Sequence, residues 1–355
     1  MSKRYIFFIG TLCNGGAERV VSILASKMAE LGMDVEILTY YDRGVSYEIS
    51  SKVQIHAVET LTGQKNKVKN LFWLRKYFKS NAKTVISFLA PFNMMAIAAN
   101  LGSGTPIIVA DRNDPTKVPS NKAVRKLRDF LYMFATGIVV QTLKNQAYFN
   151  PIVKKKSKVI YNPVELKEYA GIALQTPKEK KIVTAGRLMP QKNQKMMIRA
   201  FAGIVKKYPD YQLVIYGDGP SGEELKCLCT ELHLEKSVIF PGNVKDLHER
   251  IKSAEMFVLS SDYEGMPNAL IEAMCMGLPS ISTKVSGATD LIDDHKNGLL
   301  VELDDQVAFE NAMLELLDDR KLMKDIAENA VGLNEQLELS KIMNQWIEFI
   351  DSVKK

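Results

Sequence analysis

The chain has 355 residues, room for two domains of ordinary size, and at 46% hydrophobic and 8% aromatic it reads as a globular protein able to bury a large core. No apolar run approaches membrane-spanning length, and Met1-Ser2-Lys3-Arg4 leads straight into a short strand, so neither a transmembrane anchor nor a signal peptide is expected and the cytoplasm is the expected compartment. Scattered cysteines (Cys13, Cys227, Cys229, Cys275) and histidines without paired spacing exclude a disulfide framework and a zinc site, and the charge is uneven: residues 1–163 carry 24 Lys and Arg against 10 Asp and Glu, a net +14, whereas the rest carries 23 against 31, a net −8.

In chain order, Arg4 to Gly10 reads as a strand, and Thr11 to Arg19 as a turn with Gly15 and Gly16 into a helix Ala17 to Leu31. Paired glycines permit positive φ and close approach of backbone to a ligand. The turn is not G-x-G-x-x-G, although Asp42 after the second strand could imitate the ribose acid of a dehydrogenase. Strands at Asp34 to Tyr40, Val53 to Ala57, Thr84 to Phe88, Pro106 to Ala110 and Gly137 to Gln141 alternate with helical segments, which predicts a parallel sheet covered on both faces. Ligands then sit beyond the strands' carboxyl ends, where Asp111-Arg112-Asn113 falls.

Two segments of this half are basic and amphipathic. Lys65, Lys67, Lys69, Arg75, Lys76 and Lys79 accompany Val68, Leu71, Phe72, Trp73, Leu74 and Phe78; later Lys122, Arg125, Lys126 and Arg128 accompany Val124, Leu127, Leu131 and Phe134 at helical spacing. Either could be an ordinary solvated helix with its apolar residues in the core. Together with the +14 half they point to an anionic membrane surface as partner. Nucleic acid is the competitor, but no helix-turn-helix, zinc finger or RNP-like pattern accompanies the charge, so none is expected.

A second domain begins near Ile182 to Ala185, whose following turn holds Gly186, Arg187 and Lys192 before a helix Gln194 to Lys207. A guanidinium fork and an ammonium in such a turn can both bind phosphate oxygens. Gln212 to Tyr216 is a further strand, ending at Gly217, and Val238 to Val244 carries Gly242 and Asn243. Then comes the most informative stretch. Met256 to Leu259 reads as a buried strand, Glu264-Gly265-Met266-Pro267-Asn268-Ala269 as a loop running into a helix with Pro267 at its first position, and Gly277 and Pro279 as its stop. Backbone N–H groups and the positive end of the helix dipole there favour an anion such as a diphosphate. Glu264 and Glu272 stand eight positions apart beside it. Three helices close the chain, Asp304 to Leu317, Arg320 to Ala330 and Asn334 to Lys354.

The Glu-x7-Glu segment resembles the retaining nucleotide-sugar glycosyltransferases of family 4. The resemblance implies a GT-B fold, two Rossmann-like domains with a cleft between them, split here as 1–163 and 164–335, with the C-terminal helix (about 336–355) packing back on the first domain. It implies that Glu264 touches the donor sugar, that Glu272 holds the ribose hydroxyls, and that Arg187 and Lys192 meet the donor diphosphate. Gly15 and Gly16 resemble the family's N-terminal loop at the donor sugar and acceptor, and Tyr161-Asn162-Pro163 the strand end before its linker. Gly186, Gly217, Gly242, Asn243, Gly265, Met266, Pro267, Asn268 and Ala269 complete the donor site that the resemblance implies. Two departures stand out. Many relatives place a histidine where this chain has Arg112 and Asn113, and Ser286 and Asp290 occupy positions of the family's Gly-Gly-x-x-Glu element.

The expected function is transfer of a hexose or N-acetylhexosamine from a UDP-sugar, with retention, to a polyprenyl-diphosphate-linked oligosaccharide in bacterial surface or protein glycan assembly. With no Asp-x-Asp motif, no metal and no cofactor beyond the co-substrate is expected. Catalysis falls to Arg187, Lys192 and Glu264, and the acceptor or membrane side to Arg112, Asn113, Lys122, Arg125, Lys126 and Arg128. The enzyme is expected to lie on the inner face of the cell membrane. The alternatives are a GT-B nucleotide-sugar epimerase and a non-catalytic nucleotide-sugar-binding module.

Overall fold

The computed structural model describes residues 4–13, 15–63 and 66–353. Met1, Ser2, Lys3, Asn14, Lys65 and Lys354, each part of an expectation above, lie outside the described residues. The chain divides into two compact units, Met1–Pro163 with Leu339–Lys355, and Val164–Glu338.

The first unit is built on seven parallel strands, β1 (Arg4–Ile9), β2 (Val35–Thr39), β3 (Gln54–Ala57), β4 (Ala82–Phe88), β5 (Ile107–Ala110), β6 (Gly137–Val140) and β7 (Ser157–Val159), in the order β3-β2-β1-β4-β5-β6-β7. Period-two alternation divides β1 between two cores. Phe7 and Ile9 pack with Val20, Val21 and Leu24 of the helix Gly16–Glu30, while Ile6 and Phe8 pack with Leu74 and Phe78 of the helix Lys67–Asn81.

The expected single helix Asn334 to Lys354 is two, Leu333–Gln336 and Leu339–Ser352. The break falls where the Leu337 carbonyl leaves the helical pattern to accept the Val164 N–H at 3.0 Å. Beyond it Ile342, Met343, Trp346, Phe349 and Ile350 form one helical stripe that joins the first of those cores. Gly137 lets this helix come close, since a Cβ there would lie 2.9 Å from the Phe349 ring.

The second unit has six parallel strands, β8 (Glu179–Ala185), β9 (Gln212–Tyr216), β10 (Val238–Gly242), β11 (Ala254–Leu259), β12 (Ser280–Thr283) and β13 (Leu299–Val301), ordered β10-β9-β8-β11-β12-β13. Its largest core gathers Ile182, Met197, Phe201, Leu213, Val258 and Phe309. Strands β12 and β13 were not anticipated. Ser-Ile-Ser-Thr has no apolar run; it is buried because it lies between two other strands, and its hydroxyls are satisfied internally, Thr283 Oγ1 donating to Ser261 O at 2.6 Å.

Both sheets share one topology. Strand order reverses between β1 and β4 in the first and between β8 and β11 in the second, and such switch points are where parallel α/β sheets bind ligands, at the strands' carboxyl ends.

Candidate functional site

At the switch point of the second sheet, the loops after β8 and β11 are zipped together. Asp262 N donates to Gln191 O (2.9 Å), Gln191 Nε2 to Tyr263 O (2.7 Å), Ser260 Oγ to Lys192 O (2.8 Å) and Asn193 Nδ2 to Asp262 Oδ1 (2.8 Å). Asn193 takes a left-handed conformation, φ +46°, which asparagine tolerates better than most residues. This lattice sets two side chains against each other: Lys192 Nζ donates to Glu264 Oε1, and Ser261 Oγ donates to the same oxygen at 2.8 Å. The pair is largely buried, with 19% and 11% of the two side chains exposed. A charge-assisted contact in such a place is stronger and less screened than one on the surface.

The glycines explain how this surface is left open to backbone. Gly186 lies under the Lys192 stem, a Cβ there coming 3.4 Å from Lys192 Cε, and Gly217, at φ +125°, has no room for a Cβ against the Gly186 carbonyl. Gly217 N donates to Gly242 O at 2.9 Å, tying the end of β9 to that of β10, where Gly242 sits at φ +77° and Asn243 is exposed. Arg187 is exposed in the same turn, its carbonyl held by Gln194 Nε2 at 3.0 Å.

The helix after β11 runs Asn268–Met276, with Pro267 as its N-cap rather than its first residue, and with Gly277 at φ +85° ending it. Pro267 supplies no capping side chain at this positive end. Gly287 allows the helix Ser286–Leu291 to press on the loop, because a Cβ there would fall 2.7 Å from Met266 Cα. Ser286 is buried and Asp290 half-buried. Glu272, on the second turn, is buried and accepts from His248 Nε2 at 2.9 Å; it is not in the Lys192 cluster. The Cys275 thiol nearby is pushed up to about 12 by burial and then by the Glu272 charge, which leaves it a poor nucleophile.

In the first unit, Gly15 is the N-cap of Gly16–Glu30 at φ −171°, so extended backbone, not positive φ, is what the turn uses there. Tyr47 Oη is bonded to both Gly15 N and Gly15 O at 2.8 Å, and a Cβ on Gly15 would meet only the movable end of the Glu18 side chain. Gly16 opens the helix itself.

Beyond β5, Arg112 is buried over the Phe88 ring, 5.6 Å from its centroid. Burial lowers its guanidinium to about 9 against the opposing pull of Asp111. Its Nη2 donates to Asn162 Oδ1, which also takes Gln141 Nε2 at 2.7 Å, whereas Nε and Nη1 are buried without a partner. Asn113 is half-buried, its carbonyl accepting from Asn145 Nδ2 at 3.1 Å.

The second basic segment requires a correction. Arg128 is fully buried, donating to Pro115 O at 2.9 Å, Asp129 Oδ1 at 2.7 Å and Val118 O at 2.5 Å, so it cannot face a surface. Arg125 likewise spends Nη1 on Pro119 O (2.8 Å) and Ser120 O (2.9 Å). Both arginines brace the 113–120 loop. Lys122 and Lys126 are exposed, together with Leu127, Phe130 and Phe134. In the first basic segment, Leu74 and Phe78 are core, Leu71 and Trp73 half-buried, and Val68 and Phe72 exposed.

Sequence reasoning missed Ser261, Gln191, Asn193, Gln141 and His248. All but Ser261, whose partner Glu264 is three positions on, act through a partner far along the chain, His248 through a residue 24 positions away, and no local pattern announces such pairings.

Two Rossmann-like parallel-sheet domains of this kind make the GT-B fold, and comparison with solved structures agrees. The Anabaena protein HepE in complex with UDP and glucose superposes with a TM-score of 0.84 at 19% identity, covering 99% of this chain and 100% of that one. Sucrose-phosphate synthase from Thermosynechococcus elongatus gives 0.82 at 20% identity, covering 99% of each chain. Family models match both units: "Glycosyl transferase 4-like domain" over residues 15–163 and "Glycosyl transferases group 1" over 168–332. A Campylobacter jejuni relative, GalNAc-alpha-(1->4)-GalNAc-alpha-(1->3)-diNAcBac-PP-undecaprenol alpha-1,4-N-acetyl-D-galactosaminyltransferase, is 30% identical, covering 98% of both chains. A second from the same organism, N-acetylgalactosamine-N,N'-diacetylbacillosaminyl-diphospho-undecaprenol 4-alpha-N-acetylgalactosaminyltransferase, is 32% identical over 89% of this chain and 91% of its own. The chain belongs to the group 1 glycosyltransferases. Among the described residues there is no group of three or more His, Cys, Asp or Glu able to hold a metal, and no helix is long and apolar enough to cross a membrane.

Proposed function

We propose that this enzyme transfers a hexose or N-acetylhexosamine from a UDP-sugar to a polyprenyl-diphosphate-linked oligosaccharide, with retention and without an essential metal. The observation that carries the reading is the Lys192–Glu264–Ser261 cluster at the second sheet's switch point, beside the N-terminus of Asn268–Met276. The names of the two Campylobacter relatives and the nucleotide in the HepE structure support the substrate classes.

Departure of UDP places negative charge on the leaving oxygen and positive charge on the sugar ring. Arg187, Lys192 and the backbone N–H groups of Met266 to Ala269 answer the first, in a partly buried place where such contacts need little reorganisation. Glu264 holds donor-sugar hydroxyls and stabilises the ring charge, and Glu272 takes the ribose. Gly186, Gly217, Gly242, Asn243 and Gly265 line the nucleotide with backbone. Attack comes from the face the nucleotide leaves, assisted by its phosphate, so no fixed enzymatic nucleophile is required. In the first unit, Gly15, Gly16, Arg112 and Asn113 serve the sugar and acceptor.

A lipid-linked acceptor calls for a bilayer, and the helix Lys122–Tyr132 offers a face suited to one. Leu127, Phe130 and Phe134 are about half exposed beside Lys122 and Lys126, and both this helix and Lys67–Asn81 pack against the helix Ala90–Asn100. Apolar insertion flanked by lysines fits the cytoplasmic face of an anionic membrane. The test is a panel of UDP-sugars offered with a short polyprenyl-diphosphate glycan, the product being read by mass and by the anomeric coupling of the new linkage. One donor extending the glycan with retention is the expected result; extension with inversion would remove the front-face mechanism.

A further inference from the structure

The contact between His248 and Glu272 has no part in the transfer chemistry described above. It joins two elements: the short helix Leu247–Ile251 after β10 and the second turn of Asn268–Met276. His248 Nε2 lies 2.9 Å from Glu272 Oε2, with 22% and 9% of the two side chains exposed. A carboxylate can only accept, so Nε2 carries the proton and His248 is the donor. The imidazole is braced in turn, its centroid 5.3 Å from that of Tyr169, which precedes β8 by ten positions. A glutamate has three side-chain torsions, and one oxygen tied to a braced ring restricts where the carboxylate can present itself.

We propose that His248 is a positioning residue for nucleotide recognition: it donates through Nε2 to Glu272 and so sets the carboxylate that receives the ribose hydroxyls. This rests on the reading of Glu272 as the ribose acceptor. A ribose diol offers two donors at fixed separation, and a carboxylate already turned toward them loses less freedom on binding than one that must be ordered by the ligand. The same residue then governs how strongly the enzyme distinguishes a ribonucleotide from its deoxy analogues. A neutral N–H donor suffices for the role, so glutamine should replace the histidine in part and alanine should not.

The experiment is calorimetric titration of the full chain with UDP, 2′-deoxy-UDP and 3′-deoxy-UDP, for wild type, His248→Ala, His248→Gln and Glu272→Gln, with melting temperatures recorded for each. His248→Ala is expected to weaken UDP about tenfold, the loss of one charge-assisted hydrogen bond, while weakening the deoxy analogues less, so that the preference for UDP shrinks. His248→Gln is expected to recover most of that preference. If Glu272→Gln removes the preference but His248→Ala leaves it intact, the positioning role is overturned. Equal weakening of all three ligands by His248→Ala, with a lowered melting temperature, would overturn it as well and make the contact merely structural. If Glu272→Gln itself leaves the preference unchanged, the ribose assignment fails first and the proposal falls with it.

Discussion

Lys192 reaches Glu264 because the backbones on either side of it are fixed to each other, not because the two are near in sequence; they are 72 positions apart. The Glu-x7-Glu spacing was legible, since a loop and the helix after it are local and their glycines and prolines punctuate them. The partners of those acids were not legible, because a contact such as Ser260 Oγ to Lys192 O depends on β8 and β11 being neighbours. Arg187→Ala, at an exposed residue, should lower turnover more than stability, whereas Lys192→Ala should lower both, because it also leaves the largely buried Glu264 without its cation. Each removes a charge-assisted hydrogen bond of about 1.5 to 3 kcal/mol, roughly tenfold to a hundredfold in rate if fully expressed in the transition state. Steady-state rates beside melting temperatures check this, and full turnover in a well-folded double variant would sink the diphosphate assignment. The two acids should separate. Glu264→Gln keeps size but weakens acceptance from sugar hydroxyls, so kcat falls; Glu272→Ala should chiefly weaken UDP binding, and equal loss of UDP affinity in both variants contradicts the division.

At the scale of elements, helices with strong punctuation were legible to the residue: Gln194–Lys207 and Arg320–Ala330 stand where their patterns predicted. Strands without apolar runs, β12 above all, were not, because their burial comes from position in the sheet rather than from their own side chains. The helix Lys122–Tyr132 shows the same limit. Its charge pattern gave four basic residues to one surface, and the structure turns Arg128 inward and Arg125 onto loop carbonyls. Arg128→Ala removes a buried cation 3.9 Å from the buried Asp111, whose carboxyl burial already raises despite Arg128. Breaking such a pair costs about 3 to 5 kcal/mol, against within about 0.5 kcal/mol for Lys126→Ala, and urea midpoints should show the difference. Membrane docking tests the opposite face. Sedimentation with phosphatidylglycerol vesicles should weaken as salt rises and when Leu127, Phe130 and Phe134 become Ser or Lys122 and Lys126 become Ser, with each lysine contributing about 1 kcal/mol near the surface. Vesicle binding that none of these changes affects, or none at any salt, would leave the helix an ordinary solvated one.

The whole molecule repeats one device, a parallel sheet whose order reverses beside its first strand, and places glycine-bearing turns at the reversal in each unit. The parallel sheets were legible, because strands alternating with helices build them, and the resemblance implied two such domains; the order of the strands, and so the reversal, was not read from the sequence. The charge split between the halves was legible too, although part of the basic charge goes to internal bracing instead of to a partner. Transfer demands that donor cleavage and acceptor extension be one event. The direct measurement is UDP release from the productive UDP-sugar with and without a short polyprenyl-diphosphate glycan, quantified against glycan extended. The account predicts that release depends on the acceptor and equals extension mole for mole; rapid UDP release that ignores the acceptor, or UDP-sugar binding with neither release nor extension, would contradict it.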